Sequence, residues 1–197
     1  MANLCETSYR ITGPEEDISR LETVIKEILT RVSSDKGFAD RPMTAGDIAE
    51  YLGEDRRCCA CDCRGEYFAF ERQGDSLSLC AVTPWAPQHE PLLILCDSIA
   101  GSFNILYSAE EYNMHIYVTN DPDIAGKWTI DSWQDTEDYP KCMQELVRRD
   151  GYAGTEELET ALKEAFGYDG SVEELVSRAE ALWNVHIAQF EYEDIRG

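Results

Sequence analysis

Apolar and polar residues alternate in the first stretch of the chain and then change to a helical period. The segment LCETSYRIT at 4–12 places Cys5, Thr7, Tyr9 and Ile11 on one face, which predicts a strand. Gly13-Pro14 ends it. In PEEDISRLETVIKEILTRV, apolar residues then recur every three or four positions, and Pro14 suits a first helical turn. The chain therefore opens with a strand and an amphipathic helix.

The middle of the chain predicts a hairpin between two further helices. Thr44–Leu52 reads as a short helix capped by Thr44, with Asp47 three residues on. The β-rich runs EYFAFER and SLSLCAVT are separated by Gln73-Gly74-Asp75, which indicates a tight turn. The run WAPQHEPLLILCDSIAG then predicts a helix that starts near Pro87 and ends at Gly101.

The last part of the chain is mostly helical. FNILYSA, MHIYVT and KWTIDSW predict strands, and YPKCMQELVRR, TEELETALKEAF and SVEELVSRAEALW predict helices. Thr155 and Ser171 are the expected N-caps of the last two helices. VHIAQFEYED alternates and predicts one final strand.

The order β-α-β-β-α-β-β is typical of an α+β sandwich. We expect a ferredoxin-like antiparallel sheet with two helices on one face, formed by residues 1–120. Residues 121–197 are expected to form a mostly helical C-terminal region that packs on this core. Its final strand is expected to rejoin the sheet.

The charge of the chain limits its partners. It has 39 Asp and Glu against 17 Lys and Arg, a net charge of −22, spread over both halves of the sequence. This charge repels phosphate backbones and anionic lipid surfaces, so we expect no direct nucleic-acid or membrane partner. A basic protein partner or a cation would be attracted, although strong charge also serves simply to keep a protein dispersed.

The N-terminus MANLCETSYR lacks the basic region and apolar run of a signal peptide. The most apolar run, PLLILC at 91–96, is too short to span a membrane. We therefore expect a cytoplasmic protein whose eight cysteines remain thiols.

Four of these cysteines, Cys58, Cys59, Cys61 and Cys63, lie within RRCCACDCRG at 56–65. Zinc ligands from one segment are usually two to four residues apart, so this spacing is too tight for one ion to use all four thiols. The flanking arginines would lower thiol pKa values and favour redox reactivity. A zinc site, a redox sensor and a thiol-rich loop without a specific role stay open, and the last is the simplest interpretation.

Other candidate binding residues lie at the ends of predicted strands. Trp85 stands between two prolines in PWAP, where it either packs over the sheet edge or lines a groove. Glu110, Asn120, Asp121 and Asp123 supply polar side chains near loops, but D-P-D lacks the length of a calcium loop and indicates a turn with solvated acids. The catalytic motifs G-x-x-x-x-G-K-S/T, G-x-S-x-G and H-E-x-x-H do not occur, which leaves an enzymatic activity unsupported. A cleft near Trp85 and Glu110 would argue for an enzyme.

Four segments carry a resemblance to a known family. They are MANLC at 1–5, TGP at 12–14, TPWAP at 83–87 and YSAEEYNMHIYVTND at 107–121. Together they resemble the YubB-like ferredoxin-fold family, whose members are found on bacterial plasmids, phages and other mobile elements. The likeness covers roughly the first 120 residues.

The chain departs from the family pattern in two places. Leu4 stands where tryptophan is usual, and the cysteine cluster is not a family hallmark. The resemblance implies a ferredoxin-like sandwich and a mobile-element origin but no activity, because the family has no established function. With the acidity, it favours a non-enzymatic interaction protein, an accessory factor of a mobile element. The alternative is a metal-binding or redox-responsive protein that uses Cys58 to Cys63.

Overall fold

A computed structural model describes residues 3–36, 42–53, 65–132, 137, 139–147 and 151–196, and of 33–36 the backbone alone. Within these residues the protein is a mixed α/β structure with six α-helices and nine β-strands, and its main sheet is mostly antiparallel.

The elements follow one another as β1 (Leu4–Thr12), α1 (Glu15–Lys36), β2 (Met43–Thr44), α2 (Ala45–Tyr51), β3 (Glu66–Gln73), β4 (Ser76–Pro84), α3 (Glu90–Ser98) and β5 (Asn104–Glu111). A 3-10 turn (Tyr112–Met114) leads to β6 (Ile116–Thr119) and β7 (Trp128–Ser132). The chain ends with α4 (Lys141–Val147), α5 (Thr155–Phe166), α6 (Val172–Trp183), β8 (Val185–Gln189) and β9 (Glu191–Tyr192).

Two compact units divide the chain: residues 1–116 with 194–197, and residues 117–193. The main sheet has seven strands. Five lie in the first unit in the order β2-β3-β4-β1-β5, and two, β6 and β9, pair in parallel in the second unit. In the first unit β1 is central, because it pairs antiparallel with β4 along all nine residues and with β5 on its other side.

The core of the first unit follows from the period of two in β1. Cys5, Thr7, Tyr9 and Ile11 are buried, whereas Leu4, Glu6, Ser8 and Arg10 are exposed. Most of the predicted apolar stripe of α1 is buried as well, with Val24 and Leu29 half-buried. The buried apolar residues of α1 and α3 include Ile18, Leu21, Ile25, Ile28, Val32, Leu92 and Leu95. The helix-facing side of the sheet thus forms the core, and the opposite side is open to solvent.

The second unit has its own core between helices and a two-stranded sheet. β7 and β8 pair antiparallel, and α4, α5 and α6 bury Met143, Leu158, Leu162 and Leu175 beside them. A stack of Phe166 on Trp183 joins the ends of α5 and α6, with ring centroids 4.3 Å apart. This unit begins at Tyr117 rather than at 121, and residues 194–197 belong to the first unit.

Three sequence predictions of local structure are wrong. The predicted single strand at 185–194 is two strands, since β8 pairs with β7 and β9 with β6. The helix expected from Pro87 to Gly101 spans only Glu90–Ser98, because Pro91 rather than Pro87 occupies its first turn. The N-cap of α5 is Gly154, and the Thr155 hydroxyl instead accepts a hydrogen bond from the Trp128 indole.

One close backbone contact fixes the start of α1. A Cβ atom at Gly13 would lie 2.4 Å from the Ser102 carbonyl oxygen. Ser102 also donates its N–H to Asp17, and this bond, followed by that of Arg20, holds the pKa of the Asp17 carboxyl below its usual range. Glycine at 13 therefore allows the loop before β5 to cap the first turn of α1.

We predict that Gly13→Ala destabilises the protein by about 2 kcal/mol, because the backbone must shift to admit the methyl group. Urea unfolding measures the change. Gly154→Ala is the control, since nothing lies within 4 Å of a Cβ there, and its effect should stay within about 1 kcal/mol. Equal effects of the two substitutions would contradict the role given to the Gly13 contact.

Candidate functional site

The open face of the first unit's sheet carries a row of acidic side chains. We define the open face by Leu4, Glu6, Ser8 and Arg10 of β1 and by the residues paired with them on the neighbouring strands. Glu6 is directly opposite Glu110 of β5 on one side and Val82 of β4 on the other, and Val82 is opposite Glu66 of β3. The order across the sheet is therefore Glu66, Val82, Glu6, Glu110, which we call the acidic row.

Exposed apolar side chains border the acidic row on both sides. Leu4, two residues before Glu6, is 60% exposed, and Phe68, two residues after Glu66, is 40% exposed. Phe68 is opposite Cys80, in the same row of the sheet as Ser8. The open face thus combines carboxylates with large apolar groups, a combination that is typical of surfaces that bind other proteins.

Trp85 follows the last residue of β4 and is 44% exposed. Its N–H donates to the Asn3 carbonyl, so the turn that carries it is tied to the start of β1. The Ala86 N–H donates to the Pro84 carbonyl across Trp85, whose φ is 65°, and these two features define a strained γ-turn. The buried Thr83 hydroxyl donates to the Ala86 carbonyl and supports the turn.

Cys5 lies on the core side of β1, behind Glu6. Burial is the main cause that raises the pKa of the Cys5 thiol to about 11, and the carboxylates of Glu111, Glu110 and Glu6 add to the increase in that order. Cys5 is therefore a protonated core side chain rather than a reactive thiol.

The remaining predicted binding residues lie in the second unit, in the turn after β6. Asp121 is 6% exposed, so the expectation of solvated acids is wrong for this residue. Its carboxylate accepts from the Asp123 N–H, and its carbonyl accepts from Ile124 and Ala125. Asn120 is half-buried and Asp123 is exposed. Asp121 holds the turn together, which is a structural role.

The cysteine cluster Cys58, Cys59, Cys61 and Cys63 lies outside the described residues, so the zinc and redox interpretations stay predictions. Among the residues that the structure describes, no group of three or more His, Cys, Asp or Glu side chains is placed to hold a metal ion. Cys5, Cys80, Cys96 and Cys142 are free thiols.

A half-buried histidine in the first unit was not predicted from the sequence. His89 stands at the start of α3, where its Nδ1 lies 2.8 Å from the Tyr9 hydroxyl and its ring packs on Tyr107 at 4.2 Å. Burial lowers the pKa of His89 to about 4 and raises that of Tyr9 well above its ordinary value. Both groups are therefore neutral near pH 7, and the Tyr9 hydroxyl and His89 Nδ1 share a hydrogen bond.

A second polar group lies in the other unit and was also missed. The Nδ1 of His186 is 3.2 Å from Glu180, and Asp131 is directly opposite His186 in the β7–β8 register. Asp131 also accepts a 2.7 Å hydrogen bond from the Tyr117 hydroxyl. These bonds join β6, β7, β8 and α6 within this unit. The two histidines come from distant segments, so no local motif in the sequence signals either group.

Comparison with known proteins identifies no relative: no family model, no curated protein and no solved structure matches the chain. Within the described part of the chain, none of the helices has the length and apolar character that a membrane span requires.

We predict that His89 makes the protein less stable as the pH falls. Above about pH 6.5 the imidazole is neutral in both states, but between about pH 6.5 and 4 the unfolded chain binds a proton that the folded chain excludes. The free energy of unfolding should therefore fall by up to about 1.4 kcal/mol per pH unit in this window. Urea unfolding at several pH values measures it.

His89→Asn is the informative variant, because its side-chain amide reaches the position of Nδ1 and can pair with Tyr9 in either direction, but does not titrate. We expect a shallower decrease between about pH 6.5 and 4 than in the natural protein. The carboxylates titrate in both proteins and serve as the common background. Identical slopes would show that His89 is not excluded from protonation by the fold.

Proposed function

We propose that the protein is a non-enzymatic interaction protein that binds a basic protein partner through the open face of its first unit. The observation that carries this proposal is the acidic row of Glu66, Glu6 and Glu110 between the exposed apolar side chains of Leu4 and Phe68. Apolar groups supply the affinity of most interfaces, and charge supplies orientation and rate of association.

The net charge of −22 supports the same class of partner. A positive protein surface is attracted over the whole approach, and the acidic row then sets where it docks. Nucleic acids and anionic lipid surfaces are repelled by the same field. The proposal therefore includes no direct nucleic-acid or membrane partner.

The strand order of the first unit supports a ferredoxin-like interpretation of its fold. With β2 and α2 treated as an insertion, β1, α1, β3, β4, α3 and β5 follow the β-α-β-β-α-β order, and their strands lie as β3-β4-β1-β5. We propose on this basis, and on the sequence resemblance, that the protein is an accessory factor of a mobile element related to the YubB-like family. Fold alone assigns no activity to it.

The proposal is tested by affinity capture from a bacterial lysate with three forms of the tagged protein. The first is the natural sequence. The second carries Glu6→Gln, Glu66→Gln and Glu110→Gln on the open face. The third carries Glu16→Gln, Glu145→Gln and Glu164→Gln, three exposed positions on helices, and so has the same net charge as the second.

We expect the natural protein and the helix variant to retain the same basic protein at about 0.1 M salt, and the open-face variant to lose it. Mass spectrometry identifies the protein, and its net charge is read from its sequence. At about 1 M salt, where the Debye length is about 3 Å, retention should fall sharply. Failure to recover any basic protein at the lower salt, or equal loss in both variants, would refute the proposal.

A further inference from the structure

We infer that the acidic row binds one side of a basic amphipathic helix that lies across the strands. This inference rests on the proposed function and specifies the partner's chemistry. The expected partner is a helix with cations at positions i, i+3 or i+4, and i+10 or i+11, and with apolar residues beside these cations. The spacing of the carboxylates and the bordering apolar groups carry the inference.

The spacing of the acidic row follows from the sheet. Glu6 and Glu110 are on neighbouring strands and therefore about 5 Å apart at the backbone, whereas Val82 separates Glu6 from Glu66, which doubles the distance to about 10 Å. A helix rises 1.5 Å per residue, so about 5 Å corresponds to three or four residues and about 10 Å to seven. Positions separated by three or four and by seven residues also lie on one side of a helix.

An extended peptide laid across the strands fits this spacing less well. Its side chains return to the same face only every second residue, at intervals of about 7 Å. Neither the shorter nor the longer interval of the acidic row matches a multiple of that distance. The alternation of near and far carboxylates therefore favours a helical occupant.

The apolar borders determine how the helix is held. A helix that follows the acidic row has Leu4 on one side and Phe68 on the other. Apolar residues that flank its cationic stripe would contact these side chains and remove them from water. The apolar residues on both sides of the helix's cationic stripe thus gain contacts. These contacts favour a helix that lies along the acidic row rather than along a strand.

Two synthetic helical peptides of identical composition test the inference with the full-length protein. In one, three lysines occupy i, i+3 and i+10 with leucines beside them. In the other, the lysines are distributed around the helix. Fluorescence anisotropy of the labelled peptides at about 0.1 M salt gives both dissociation constants. We expect the first peptide to bind about tenfold more tightly, as three exposed ion pairs allow.

The variants used for the capture experiment serve as matched controls. The advantage of the spaced peptide should disappear in the open-face variant and persist in the helix variant. Equal binding of the two peptides to the natural protein, binding too weak to measure, or an advantage that survives in the open-face variant would each overturn the inference. If the peptides fail while a basic protein is still captured through the open face, the proposed function stands and only the helical partner is refuted.

Discussion

The position of β1 at the centre of the first unit is the constraint on which the rest of that unit depends. It pairs with β4 and β5 at once, so neither of its edges is free along the paired residues, and its period of two assigns every side chain to one face. A shift of one residue would bring Glu6 into the core and expose Tyr9. The core and the acidic row are therefore two consequences of a single register.

This dependence explains which parts of the fold the sequence predicts. Alternation in β1, helical spacing in α1 and the Gln73-Gly74-Asp75 turn are local signals, and all three elements are present. The start of α3 was mistaken because Pro87 is compatible with a helix by itself. The bond from Trp85 to Asn3, a partner far away in the chain, holds the preceding residues in a turn instead. The predicted final strand is divided in two for a similar reason: β8 pairs with β7 and β9 pairs with β6, and both partners are distant in the chain.

The candidate site is predictable only in part, for a related reason. Trp85 and Glu110 stand out in the sequence as a tryptophan between prolines and an acid at a strand end. Glu6 and Glu66 do not stand out among 39 acidic residues, and only the pairing of four strands places them in line with Glu110. Asp121 illustrates the opposite case, because an acid that looked solvated is buried and holds a turn.

The location of the acidic row also explains how the protein tolerates it. On the helix-facing side, unpaired carboxylates would lose their hydration, and that cost would far exceed the stability that one residue can contribute. On the open face the carboxylates keep their water, so the row costs little stability. In the proposed complex the partner removes that water. It must then supply positive charge at the same spacing, because a carboxylate that loses its water without a matching cation is costly. Under this proposal, the register that places the row in water also selects for a partner with matching cations.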